Sequence, residues 1–234
     1  MAAVILGSRS TSDFSDVPAG ISGGWDGFRG IPELVRKFDF QNNATPKADE
    51  ILDKRGIFLD KNRSIDITTS VTGTFTTEGW SVYKYTNVKS DGQPGSNTTF
   101  PDTDFPMFRL ADVYLMYAEA VARGGQGGSL ATAVQYVNAL RQRAYGDDAH
   151  GVTELWLTEN NYRNILDERC RELYWEGTRR TDLIRYGLFT STDYLWTFKG
   201  GVLSGTGVSN RYNVFPIPVT DISVNANLKQ NEGY

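Results

Sequence analysis

The stretch SLATAVQYVNALRQRAYG, residues 129–146, decides the fold class. Leu130, Ala133, Val134, Val137 and Leu140 recur at the i, i+3, i+4, i+7 spacing that places apolar groups on one helical face. Ser129 offers a side-chain oxygen to the first unpaired backbone amides, and Gly146 tolerates the left-handed backbone that closes a last turn. Upstream, Pro106 stands where a first-turn proline is tolerated, with Asp104 available as a cap. That predicts a helix over Met107–Arg123, with Phe108, Ala111, Leu115, Ala118 and Val121 near one face and Gly124-Gly125 as its end. Downstream, a third helix is expected after Thr158, running through Tyr162, Ile165, Leu166, Leu173 and Tyr174, with Gly177 just past it. A fourth covers Thr178–Tyr186 and stops at Gly187. Four helices with short turns make two antiparallel pairs, and the small residues Ala111, Ala118 and Ala133 suit tetratricopeptide-like stacking.

Residues 1–105 read differently. They are rich in Gly, Ser, Thr, Asn, Asp and aromatics, and clusters such as Gly20–Gly24, Ser90–Asn97 and Pro101–Asp104 carry turn chemistry. Short helices are expected at Ile31–Phe38 and Lys47–Leu52, and extended pieces at Gly56–Asp60, Ile65–Thr69 and Trp80–Tyr85. The Thr68–Thr77 stretch alternates enough to suggest β structure. The expected class is therefore mainly α, with tetratricopeptide-like helical pairs carrying a large, irregular, loop-rich and partly β subdomain. Residues 106–234 form the helical region with an extended tail over Tyr212–Tyr234, residues 1–105 form a ligand-loop region, and both belong to one domain.

Bulk numbers narrow the chemistry. The chain has 234 residues, 39% hydrophobic and 22% charged, which is enough for a buried core. Its net charge of −4 argues against a general nucleic-acid binder, because such a surface does not attract a polyanion. One cysteine, Cys170, excludes an intrachain disulfide and a thiolate zinc site, and its mid-helix position suits a small core hydrophobe. The opening apolar run Met1–Leu6 is too short for a signal-peptide core or a membrane span, and no other stretch approaches ~18 apolar residues.

Catalysis has little material. A serine-type triad would need the only histidine, His150, which sits in the polar turn Asp147–Gly151 and reads as a solvated loop residue. A glycosidase needs two carboxylates, but none of the 28 acidic residues forms a pair in a recognisable catalytic context. Asp102-Thr103-Asp104 could offer oxygens to calcium, although capping by Asp104 is the stronger reading. No cofactor or metal is expected. The charge run Asp167–Arg171 with Glu172 and Glu176 predicts i, i+4 helix pairs Asp167–Arg171 and Glu176–Arg180, with Arg169 and Arg179 as alternative bridges between helices.

Five segments in order carry a family resemblance. Phe108–Ala120 is similar to R-x-A-D-x-x-L-x-Y-A-E-A, and Val137–Ala144 to V-N-x-[LVI]-R-x-R-A. Ile165–Gly177 is similar to I-L-x-E-R-x-R-E-L-x-x-E-G, and Arg179–Gly187 to R-x-x-D-L-I-R-[WY]-G. Pro216-Ile217-Pro218 with Asn225–Tyr234 is similar to P-I-P…N-x-x-L-x-Q-N-x-G-Y. Together these resemble the C-terminal region of the SusD/RagB family, with Gly24–Gly27, Pro32–Val35 and Lys84-Tyr85 fitting more loosely. The resemblance implies a fragment of the SusD-like superhelix and a non-catalytic function: capture of an oligosaccharide or polysaccharide at the bacterial cell surface. It implies delivery to a SusC-like TonB-dependent outer-membrane transporter, and a longer full-length lipoprotein whose signal and N-terminal lipid anchor this chain lacks. Peptide capture, as in RagB-like relatives, is the alternative, and a glycoside hydrolase the remote one.

A glycan site needs aromatic platforms for apolar sugar faces and convergent polar groups for hydroxyls. Trp25 leads the candidates, because it stands between Gly23-Gly24 and Gly27 in a loop, beside Asp26 and Arg29. The resemblance implies that ligand aromatics come from this irregular region. Trp80 begins an expected strand, and Tyr194 and Trp196 lie in the loop after the fourth helix; these complete the set. Trp156 and Trp175 are expected to pack against helices.

Overall fold

The computed structural model describes residues 2–9, 11, 13, 19–68 and 77–234. Its contacts divide the chain into two units, residues 1–178 and Arg179–Tyr234. The first unit holds α1 (Ala2–Gly7), α2 (Pro32–Val35), β1 (Phe58–Leu59), β2 (Ser81–Val82), α3 (Leu110–Ala122), α4 (Leu130–Tyr145), α5 (Glu154–Thr158) and α6 (Arg163–Leu173). The second holds α7 (Arg179–Arg185) and α8 (Val219–Val224).

The helical core forms where the apolar period placed it. Ala111, Leu115 and Ala118 of α3 pack with Ala133, Val137 and Leu140 of α4 and Ile165 of α6, and Trp156 packs against the same cluster. Leu115, Ala118, Ala133 and Val137 are fully buried. Alanine at the contact lets the α3 and α4 backbones approach, and Tyr114 stacks on Tyr136 with centroids 4.3 Å apart. Each large apolar side chain buried here contributes about 1.5–3 kcal/mol. Ser129 accepts a hydrogen bond from the Thr132 amide, and Gly146 ends α4 at φ 87. The α-rich, tetratricopeptide-like class stands.

Several expectations of detail do not. The helix expected from Met107 begins at Leu110, with Arg109 extended at φ −133 in the cap position, so Asp104 is not the cap. Phe108 therefore lies outside the helix and is 92% exposed rather than on its inner face. The cause is tertiary: the Arg109 guanidinium spans Glu172 and Glu176, 2.8–2.9 Å from their carboxylates, and holds its own backbone extended. The third helix is preceded by the separate α5, and Asn160, Asn161 and Tyr162 all adopt positive φ before α6 starts at Arg163.

The i, i+4 pairs expected of α6 are replaced by contacts across the fold. Asp167 pairs with Lys37 at 2.6 Å, and Arg169 bridges to Asp112 of α3 at 2.7 Å. Glu176 lies past the helix end and binds Arg109 and Lys84. Glu168 is fully buried and accepts from Arg55 (2.8 Å), Arg141 (2.7 Å) and Arg171 (2.5 Å). Burial alone would raise the Glu168 carboxyl, but Arg171, Arg55 and Arg141 hold it well below the usual carboxylate range. Arg55 also reaches Asp53 and Glu172, so this cluster ties residues 53–55 to α4 and α6.

The irregular part of the unit has its own cores. Phe38 meets Phe58 and Tyr174 edge to face, with Phe38–Phe58 centroids 5.3 Å apart, and Phe58 lies tilted against Trp80 and Tyr174. Ile5, Leu6, Ile21 and Tyr83 form another cluster. The expected strands shrink to β1 and β2, antiparallel with Phe58 opposite Val82, and the expected short helices to α2 and a 3-10 turn at Ala48–Glu50. Ile65–Asp66 and the residues up to Thr68 form no strand; Ser64 makes a single bridge to Glu78. Of the Thr68–Thr77 expectation, residues 69–76 lie outside the described residues.

In the second unit, the buried Lys199 amine donates to the carbonyls of Leu188, Ser191 and Tyr194, and so organises the turn after α7. The tail is not extended throughout: a 3-10 turn spans Asn210–Asn213 and α8 follows Pro218. Gln230 then pairs with both the amide and the carbonyl of Ile217, which folds the end of the chain onto the Pro216–Pro218 segment.

Candidate functional site

The Gly24–Arg29 loop is held by its backbone. The amides of Trp25, Asp26, Gly27 and Phe28 donate to the carbonyls of Leu6, Arg9, Gly7 and Gly7 at 2.7–2.9 Å. Arg9 is itself a buried clamp: its guanidinium lies 3.4 Å from the Tyr83 ring centroid and donates to the carbonyls of Val82 and Tyr85. Gly24 is required for this approach, because a Cβ there would lie 2.2 Å from the Arg9 carbonyl oxygen. Asp26 adopts φ 51 and accepts from the buried Arg63 at 2.7 Å. Arg29 donates to the Glu78 carbonyl at 2.9 Å, and the next residue, Gly30, bridges to Trp80. The loop is thus anchored on both sides of its aromatic residues.

On this frame the Trp25 indole is 64% exposed. An indole left in water on a fixed backbone keeps an apolar face available at little further ordering cost, which is what stacking against a sugar ring uses. Phe28, absent from the sequence-based candidates, is 48% exposed in the same loop. Its ring covers Gly7, where an added Cβ would come within 2.5 Å of it, and meets Trp175 edge-on at 6.1 Å. The signal available in the sequence was its place three residues after Trp25 in the same glycine-bounded loop. Asp26 Oδ2 is buried without a hydrogen-bond partner among the described residues.

The remaining candidates divide. Trp80 is 2% exposed and packs against Phe40 and Phe58 at 5.9 and 6.3 Å, so it is a core residue that supports the loop through Gly30, and cannot stack on a ligand. Tyr194 and Trp196 belong to the second unit. The Tyr194 hydroxyl accepts from Arg179, and Trp196 stacks on Phe189 at 6.0 Å with the Lys199 amine 4.5 Å from its ring. Trp196 lines a cleft of about 480 Å³ with Arg180, Phe215 and Tyr234.

His150 stacks on Tyr145 at 3.9 Å and pairs with Asp147 at 3.0 Å, with no other chemistry around its ring in the described contacts. Asp102 accepts from the Ser96 amide and hydroxyl, which uses the carboxylate of the Asp102–Asp104 pair to fix a turn. Among the described residues no group of three or more His, Cys, Asp or Glu is arranged to hold a metal, and no helix is long and apolar enough to cross a membrane.

Residues 38–234 match the SusD family. The chain is 48% identical over 159 residues to the starch-binding protein SusD of Bacteroides thetaiotaomicron, a match covering 68% of this chain and 26% of that protein. It is 35% identical over 138 residues to SusD-like protein P25 of Formosa agariphila, covering 55% of this chain and 24% of that one. A solved SusD-like protein of Bacteroides fragilis superposes with a TM-score of 0.61 at 21% identity, over 98% of this chain and 51% of its own. The chain thus spans about a quarter of the curated relatives and half of that solved structure.

Proposed function

The chain belongs to the SusD family, and from that premise we propose that it captures oligosaccharides or polysaccharides without catalysis. The observation that carries the reading is the exposed Trp25 indole on a backbone pinned by successive hydrogen bonds to residues 6–9. A rigid aromatic face accepts the apolar side of a sugar ring, while the loop's polar groups can meet hydroxyls. Trp25 is the platform, Asp26 and Arg29 are the polar flank, and Phe28 extends the aromatic surface. Within the second unit, Trp196 offers a separate aromatic face for a saccharide, with Tyr194 in its surroundings. The name of the starch-binding relative supports a glucan as the first ligand to try.

The whole protein works at the cell surface of the outer membrane as a lipoprotein, and hands its ligand to a SusC-like TonB-dependent transporter. Peptide capture is less well supported, because peptide binding by strand addition needs an exposed strand edge and the two strands among the described residues are each two residues long. Calorimetric titration against maltooligosaccharides, other neutral oligosaccharides and a peptide library tests the reading. Binding of one saccharide class and no peptide is expected. Binding of peptides alone would replace saccharide capture with peptide capture.

A further inference from the structure

A second cleft in the first unit, about 360 Å³ in volume, is electrostatically unlike the rest of the chain. The protein carries a net charge of −4, yet Lys54, Arg55, Lys84, Arg109 and Arg143 line this cleft against only two carboxylates, Glu172 and Glu176. Counting donors shows which cations are spent. The Lys84 amine gives its three protons to the Glu172 carbonyl, the Tyr174 carbonyl and the Glu176 carboxylate. Arg109 forks across Glu172 and Glu176, and Arg55 is taken up by Asp53, Glu168 and Glu172.

Two cations keep capacity at the rim. Among the described residues the Arg143 side chain makes one hydrogen bond, from Nη2 to Glu172 at 2.6 Å, and it is 55% exposed. Lys54 is exposed, and no ion pair to it occurs among the described residues. Its amide donates to the Ala144 carbonyl at 2.9 Å, which sets it beside the turn of α4 that carries Arg143. The wall also has apolar surface from Ile57, Pro106 and the Tyr85 ring, and the Tyr85 hydroxyl is buried without a partner among the described residues.

We propose that this cleft is a subsite for the carboxylate of an acidic saccharide residue, paired by Arg143 and Lys54, with its ring against Ile57, Pro106 and Tyr85. The inference rests on the saccharide-capture reading and adds a charged residue class to it. The guanidinium edge of Arg143 suits a carboxylate, Lys54 adds a point charge, and the volume matches a small-ligand site. Glu172 and Glu176 do not lie unpaired in the cleft: apart from Arg143, Glu172 accepts from Arg55 and Arg109, and Glu176 from Lys84 and Arg109.

The test is calorimetry of the chain with oligogalacturonate, with a maltooligosaccharide of equal length and with sodium sulfate, using wild type, Lys54→Glu, Arg143→Gln and Trp25→Ala. Lys54→Glu is the key variant, since among the described residues Lys54 holds no ion pair that folding depends on. Oligogalacturonate should bind more tightly than the neutral oligomer. Lys54→Glu should weaken it about tenfold, and Arg143→Gln about threefold, with neutral binding unchanged. Binding of the neutral oligomer alone, indifference to both charge variants, or equally tight binding of sulfate would overturn the acidic subsite and leave saccharide capture intact. Failure of both saccharides would overturn the two together.

Discussion

Replacing Glu168 by Gln keeps the shape of a fully buried side chain and removes its charge. The consequences differ among its three partners. Arg55 retains Asp53 at 2.6 Å and Glu172 at 3.2 Å. Arg141 loses its only close carboxylate among the described residues and keeps the His150 carbonyl, while Arg171 keeps the Lys37 carbonyl and an Asp53 oxygen at 4.0 Å. Two cations, 11% and 12% exposed, are thus stranded by one substitution. Removing one member of a buried ion cluster costs about 3–5 kcal/mol, a large part of the ~5–15 kcal/mol that holds a domain together. With a urea slope of about 2 kcal/mol/M, the midpoint should fall by roughly 2 M at neutral pH. The Glu168 carboxyl is depressed in the folded state, so its stabilisation is present above the unfolded value near 4.5 and is lost as pH falls toward the folded one. The gap between wild type and variant should therefore close as the solution is acidified below pH ~4.5. A loss under ~1 kcal/mol at pH 7, with an unchanged slope, would refute the claim that Glu168 anchors residues 53–55 to α4 and α6.

Trp80→Ala should cost about 3–5 kcal/mol in urea unfolding, as expected for deleting a buried indole, whereas Trp25→Ala should change stability by no more than about 0.5 kcal/mol. Gly146→Ala places a Cβ at φ 87 and should cost about 1–2 kcal/mol by the same assay. Gly24→Ala drives a methyl against the Arg9 carbonyl, so the loop must shift; saccharide affinity should drop about tenfold, read by titration, while the helical core and its far-ultraviolet signal persist.

The helices were legible where their signals are local. The apolar spacing of residues 130–140, the Ser129 cap and Gly146 together place α4 within a residue of its observed ends. The start of α3 was misread because Asp104 and Pro106 are local cues, whereas Arg109 answers to Glu172 and Glu176, more than sixty residues away. The same distance effect turned the charges of α6 inward: an i, i+4 rule describes a solvated helix, and α6 is surrounded by residues 37, 53–55, 112 and 141. In the irregular region, the glycine-bounded loop puts Trp25 ahead of Trp80, which begins an expected strand, but the sequence still keeps Trp80 among the ligand candidates. Both are aromatic residues near glycines, and only tertiary packing puts one at 2% and the other at 64% exposure. Phe28 went unnoticed for the same reason, since its exposure depends on Gly7 and Trp175.

The most direct test of the central claim is a calorimetric comparison of wild type and Trp25→Ala against the saccharide that wild type binds, with unfolding curves recorded on both samples. Stability should be unchanged and affinity at least tenfold lower, from loss of a stacking face worth about 1.5 kcal/mol. Equal affinity in the two proteins would contradict the claim and remove the Gly24–Arg29 loop as the binding platform.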